Sequence, residues 1–216
     1  NQRVRETNAR DFDLIDVMAP VAVAVELPEN VGLPRVSGLP DDSFTHDGQI
    51  TKRPIRALTL STLAPRACEI LWDVGAGSGT IAVEWCLAGG HAIAFEQKRS
   101  RVANIWQNAD AFGVAHRLTV IAGNSRDNLA GQATPDAVFV GGGGSADLFG
   151  LLFKLLPTGT RLVANGVTLE TEALLAQLHV AQGGTLLRIE LAQAEPLGRM
   201  RGWQSARPVV QWSVTL

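Results

Sequence analysis

Leu71-Trp-Asp-Val-Gly-Ala-Gly-Ser-Gly-Thr-Ile81 decides how this chain is read. Its apolar start predicts a strand, its glycines at 75, 77 and 79 a tight turn, and its end the first turn of a helix. Glycines let the backbone turn sharply and let a ligand come close, while a helix N-terminus offers N–H groups and a positive dipole end. An anionic or carboxylate-bearing ligand is therefore expected at this turn. The dinucleotide fingerprint G-x-G-x-x-G would put its third glycine at position 80, which is Thr80; the pattern here is D-x-G-x-G-x-G, with Asp73 as its acid. Ala92-Ile-Ala-Phe-Glu96 then ends a second strand in a carboxylate, which accepts hydrogen bonds from both hydroxyls of a ribose.

Outward from this turn the chain alternates. Strands are predicted at Glu69–Val74, Ala92–Glu96, Leu118–Ala122, Ala137–Val140 and Arg161–Ala164, with helices at Thr80–Leu87, Arg99–Phe112, Ala146–Leu156 and Leu169–Ala181 and a short one at Arg126–Leu129. Mostly apolar strands in βα alternation imply a parallel sheet covered on both faces. Thr185–Gln193 and Val209–Leu216 are strand-like with no helix between them, so an antiparallel terminal hairpin is expected to close the sheet. Upstream, Thr51–Leu63 reads as a helix capped by Thr51, with Pro54 in its first turn. Pro28–Gly48, rich in Pro, Gly, Asp and Ser, reads as a loop or linker at a boundary, and Val21–Leu27 as a short strand.

The bulk properties bound the function. With 216 residues, 46% of them hydrophobic, the chain buries one full core; a net charge of −2 supplies no global field to attract nucleic acid or an anionic membrane. No apolar stretch is long enough to span a bilayer, and Asn1 in place of Met predicts a piece of a longer chain, cytoplasmic by default. Cys68 and Cys86 read as buried small hydrophobes, and with His46, His91, His116 and His179 scattered, no metal site is indicated.

The Asp73 motif resembles the first motif of class I methyltransferases, whose glycines accommodate S-adenosylmethionine. The resemblance implies a Rossmann-like fold, a mostly parallel seven-stranded sheet with a C-terminal antiparallel hairpin. Ala122-Gly-Asn-Ser125 stands where that resemblance expects Gly-Asp-Ala; Asn124 either still accepts the adenine amino group or is a simple turn residue. The fourth strand ends in Val140-Gly-Gly-Gly-Gly-Ser145 rather than the Pro-Pro-aromatic pattern of amino-methylating enzymes, which leaves space for a bulky acceptor.

Gly38-Leu-Pro-Asp-Asp-Ser-Phe44, Thr51-Lys-Arg-Pro-Ile-Arg-Ala-Leu-Thr-Leu60, Val138-Phe-Val-Gly-Gly142 and Val163-Ala-Asn-Gly-Val-Thr-Leu-Glu170 together resemble CbiT and the C-terminal half of CobL. These are the precorrin methyltransferases of cobalamin biosynthesis that methylate C15 and decarboxylate the C12 acetate. The likeness covers residues 36–216; residues 1–35 resemble a linker and the remnant of an upstream tetrapyrrole methylase domain, CbiE-like, as found in the fused family. It implies donor contacts at Thr51, Asp73, Gly75, Ala76, Gly77, Ser78, Gly79, Glu96, Asn124, Ser125 and Gly141, with S-adenosylhomocysteine as product. Gly142 would border the acceptor, and Lys52, Arg53, Arg126, Arg199 and Arg201 are candidates to grip the carboxylates of a precorrin. Asn165 would orient a ring carboxylate or merely cap its strand, and Glu170 is the candidate proton donor for the decarboxylation. A homo-oligomer, with a tetramer as its expected form, is implied, and neither nucleic acid nor membrane is expected as a partner. The rival readings are a class I methyltransferase with an RNA or protein acceptor, which would call for a stronger basic face, and a nicotinamide dehydrogenase, which Thr80 argues against.

Overall fold

A computed structural model describes residues 3–29 and 31–216, and the chain divides into two units, Asn1–Leu33 and Pro34–Leu216. Among the described residues of the first unit the only regular element is a 3-10 turn, Ala9–Asp11. Val21–Leu27, expected as a strand, forms none: Val21, Val23, Val25 and Leu27 are all exposed, and a lone strand has nothing to satisfy its backbone or cover its apolar face.

The second unit is three layers. Its elements are α1 (Arg53–Leu63), β1 (Ile70–Val74), α2 (Thr80–Leu87), β2 (His91–Glu96), α3 (Arg99–Ala111), β3 (Leu118–Ala122), α4 (Ser125–Asn128), β4 (Ala137–Val140), α5 (Ala146–Leu155), β5 (Arg161–Gly166), α6 (Leu169–Gln182), β6 (Thr185–Ile189), β7 (Ala192–Leu197), β8 (Met200–Ser205) and β9 (Val209–Thr215). The main sheet runs β3-β2-β1-β4-β5-β9-β6; β1 to β5 are parallel, and β9 enters antiparallel between β5 and β6. Strand side chains alternate between faces, so Leu71, Ala94, Phe139 and Val163 pack under α1, α2 and α3, while Trp72, Phe95, Val138 and Leu162 pack with α5 and α6. Both faces being covered explains why these strands read as apolar throughout.

Several expectations need correction. Thr51 does not cap α1: Lys52 holds the cap position without a side-chain bond, and the Thr51 carbonyl accepts from Arg56 Nη1 instead. Within the expected loop Pro28–Gly48, residues 34–48 hold only a 3-10 turn, Asp41–Ser43, but they bury more than their composition suggests: Leu39 and Phe44 enter the core, and the Phe44 ring packs 4.8 Å from that of Phe112. Arg56 organises this stretch. Wholly buried, it donates to Glu84 Oε1 at 2.6 Å, to Asp41 Oδ1 at 3.0 Å and to the carbonyls of Leu39 and Thr51. The expected loop between the last two strands contains a second ribbon, β7–β8, that leaves the main sheet. Cys86 is buried, which pushes its thiol up to about 12, but Cys68 is exposed, in a left-handed turn at φ 68°.

Candidate active site

The carboxyl ends of β1 and β4 lie side by side, with β2 and β3 running off one way and β5 the other; this strand-order reversal is where parallel sheets open a crevice. The chain leaves β1 through Gly75, whose φ of 71° is left-handed and whose added Cβ would fall 2.6 Å from the Gly142 carbonyl oxygen. Only glycine fits between these two strand ends. A cleft of about 490 Å³ opens here, lined among others by Gly75, Phe95, Glu96, Asn124, Arg126 and Gly142. That volume suits a nucleoside-sized ligand.

Glu96 is buried in the cleft wall. Its Oε2 accepts from the Gly77 N–H at 2.8 Å and its Oε1 from the Lys98 N–H at 2.9 Å, which fixes the carboxylate while leaving a lone pair on each oxygen. The glycine turn spends its own amides: Gly75 and Ala76 both donate to Phe95 O, Gly77 to Glu96 and Gly79 to Ala76 O. The turn is therefore less of an anion cradle than its glycines suggest, and this favours a ribose beside Glu96 over a pyrophosphate on the amides. Asp73 lies beneath the turn, Oδ2 accepting from Ala82 N at 3.2 Å and Oδ1 buried with no partner. Burial pushes its carboxyl up to about 7.

Of the sequence candidates, the structure gathers Gly75, Glu96, Asn124, Ser125, Arg126 and Gly142 in the cleft wall. Asp73, Ala76, Gly77, Ser78 and Gly79 belong to the β1 end and its turn, and Gly141 ties the β4 end to it by donating to Val74 O. Asn124 Oδ1 caps α4 by accepting from Arg126 N at 3.1 Å, so its turn role is real while it still faces the cleft. Arg126 crosses to Asp147 at 3.1 Å. Lys52 pairs at 3.8 Å with Asp41, and Arg53 is exposed in the first turn of α1.

Other candidates stand apart from the cleft lining. Asn165 donates to Thr59 Oγ1 at 2.9 Å and accepts from Gln211 at 2.9 Å, locking β5 to α1 and β9. Glu170 is solvated in the first turn of α6, where its own backbone N–H and the Thr168 hydroxyl hold its carboxyl below the usual range. An ionised carboxylate is the reverse of what a proton donor requires. Arg199 and Arg201 are exposed on the β7–β8 hairpin.

Sequence reasoning missed Lys98, Arg101 and Asp147 in the cleft wall. A signal for the first two existed. Lys98, Arg99 and Arg101 place cations at the N-terminus of α3, where the helix dipole disfavours them, so something other than helix stability keeps them there.

Sheet order, glycine turn and ribose-poised acid define a class I S-adenosylmethionine-dependent methyltransferase, with S-adenosylmethionine as its cofactor. The residues present fit that donor: Glu96 keeps acceptor capacity toward a diol, and a Cβ on Gly77 would project into open space. The precorrin methyltransferase domain family matches residues 42–216, and the chain belongs to it. The chain is 48% identical over 221 residues to the precorrin-6Y C(5,15)-methyltransferase (decarboxylating) of a Sinorhizobium species, covering 99% of this chain and 53% of that protein. It is 34% identical over 169 residues to a probable cobalt-precorrin-6B C(15)-methyltransferase (decarboxylating) of Pyrobaculum aerophilum, covering 69% of this chain and 86% of that protein. The crystal structure of the C-terminal domain of precorrin-6Y C5,15-methyltransferase from Rhodobacter capsulatus superposes with a TM-score of 0.84 at 55% identity, over 85% of this chain and all of that one. The chain thus spans about half the length of the precorrin-6Y enzymes it matches in sequence.

Proposed function

We propose that residues 36–216 methylate C15 of a precorrin and decarboxylate its C12 acetate, and that residues 1–35 are a linker and the remnant of an upstream CbiE-like tetrapyrrole methylase domain. The observation that carries the reading is the Glu96 cleft at the strand-order reversal, inside the segment shared with the decarboxylating relatives. When bound, S-adenosylmethionine supplies an electrophilic methyl group to the electron-rich meso carbon, so no strong base is required of the protein. Glu96 accepts from the ribose hydroxyls, Asn124 and Ser125 flank the adenine, and Thr51, Asp73 and the turn from Gly75 to Gly79 take the amino-acid end, with Gly141 beside them. Gly142 keeps the acceptor side free of side chains. Arg126, with Lys52, Arg53, Arg199 and Arg201, pairs with carboxylates around the macrocycle. Rate then comes mostly from holding donor and acceptor in line.

The β7–β8 ribbon supports an oligomeric reading. Leu197, Met200 and Trp203 are 69%, 77% and 78% exposed on it, and a two-stranded ribbon left in water is marginal. A homo-oligomer, in tetrameric form, covers it. Among the described residues no helix is long and apolar enough to cross a membrane.

Mass analysis of a precorrin incubated with the chain and S-adenosylmethionine tests the function. A product that gains a methyl group and loses CO₂ is expected; an unchanged tetrapyrrole beside tight binding of the methyl donor would reject the acceptor, and binding of NAD(P) alone would reject the donor.

A further inference from the structure

The segment 45–51 is anchored at both ends, with Ile50 packed against the core near the far one, while its tip, residues 47–49, is held by polar contacts. At its start Asn108, itself buried, accepts from the Thr45 N–H at 2.8 Å and returns a bond from Nδ2 to Thr45 O at 2.9 Å, beside the Phe44–Phe112 stack. At its end Arg56 binds Thr51 O. Between them Asp47, Gly48 and Gln49 are exposed. What holds this tip is Arg101, whose Nε donates to Asp47 Oδ2 at 2.8 Å and whose Nη2 donates to Gln49 Oε1; Ser78 Oγ, in the glycine turn, donates to Gln49 O at 3.4 Å. Arg101 also lines the cleft that contains Glu96. One guanidinium therefore touches both the cleft and the strap, and it sits in the first turn of α3, where a cation opposes the helix dipole.

We propose that residues 45–51 are a strap across the edge of the donor cleft and that Arg101 is its positioning residue, tying Asp47 and Gln49 to α3 so that bound cofactor is retained. The inference rests on the donor assignment above. Its chemistry is that of a releasable fastening: the Arg101 side chain is largely covered, but the Asp47 end of the pair is open to solvent and residues 47–49 bury no apolar side chain, so the tip can open without unfolding the domain. The Asp47 carboxyl is held below its usual range, first by the Arg101 side chain and then by the Gln49 N–H, which keeps the fastening charged at neutral pH. The buried ends set the hinge points, and the left-handed Gly48, with open space around it, lets the tip reverse between them.

The test measures S-adenosylhomocysteine binding and release by calorimetry and stopped-flow fluorescence for Arg101→Gln, Asp47→Asn, their combination and Arg101→Lys, together with amide hydrogen exchange. The expected result is a roughly fivefold to tenfold weaker affinity in each single variant, mostly from faster release, with the double variant no weaker than the worse single. Exchange should accelerate for amides 45–50 in both singles while α2 and β1 stay protected, and Arg101→Lys should recover part of the affinity. A loss in Arg101→Gln with Asp47→Asn unchanged in both affinity and exchange would overturn the strap, because Arg101 would then act on the ligand directly. Unchanged affinity in every strap variant, with Glu96→Ala weakening binding tenfold or more, overturns the strap and keeps the donor site. Unchanged affinity with Glu96→Ala included overturns the donor site as well.

Discussion

The centre of the main sheet and the C-terminal strands β6 to β8, of which only β6 belongs to that sheet, are built differently. Around β1, β2 and β4 nearly every strand residue is buried, and even the polar ones, Asp73 and Glu96, are enclosed by backbone donors or apolar neighbours. Across β6, β7 and β8 nearly every residue is exposed, and the apolar ones have no cover from their own unit. A closely packed half fixes positions to fractions of an ångström, as donor binding requires; an open half is free to meet a large acceptor or a second subunit. The strap at residues 45–51 lies on the packed half, yet its exposed tip is fastened by the polar Arg101–Asp47 pair, so mobility there is local and polar rather than a weakness of the core.

The comparison breaks first at Arg56. Arg56→Ala removes the cationic partner of the buried Glu84 carboxylate and the donors to the Leu39 and Thr51 carbonyls, and a loss of about 3–5 kcal/mol is expected in urea unfolding. Glu96→Ala should leave the fold standing but remove charged hydrogen bonds of about 1.5–3 kcal/mol, which is roughly a tenfold to hundredfold weaker S-adenosylhomocysteine affinity by calorimetry. Asp73 gives a pH signature. Its folded pKa of about 7 lies above the reference value of 3.8, so the folded state binds the extra proton between these limits. The resulting stability is full below about pH 4 and is lost as pH rises towards 7. Asp73→Asn should flatten that part of the stability curve, followed by thermal unfolding at several pH values. On the β7–β8 ribbon, Trp203→Ser should change monomer stability by no more than about 0.5 kcal/mol, as for an exposed side chain, while shifting sedimentation towards smaller species. If Trp203→Ser instead unfolds the chain, the contrast between the two halves is wrong.

Much of the packed half was legible because its signals are local. Glycines at a strand-to-helix turn, an acid at the next strand end and continuous apolar strands each carry their own physical meaning, and β3 and β4 fall on the residues the apolar runs predicted. The ribbon was not legible: Ala192–Leu197 and Met200–Ser205 lack a consistent apolar alternation, since they have no buried face in their own unit to demand one. Thr51 misled because a capping-competent residue before a proline reads as a cap, whereas Arg56 recruits its carbonyl from a turn further on. Lys98 and Arg101 entered the cleft wall through the way α3 starts, which no motif spelled out.

By itself the sequence determined the parallel α/β core, the glycine turn and the choice of a ribose-binding acid, since periodicity, backbone freedom and side-chain type are properties of neighbouring residues. Only the tertiary structure decided that Gly75 meets Gly142, that Glu96 is steadied by Gly77 and Lys98, that Asn165 is held by Thr59 and Gln211, and that Glu170 faces water. Those facts depend on which distant segments come into contact and how much water they exclude, and burial and partner identity, unlike residue type, exist only once the chain has closed on itself.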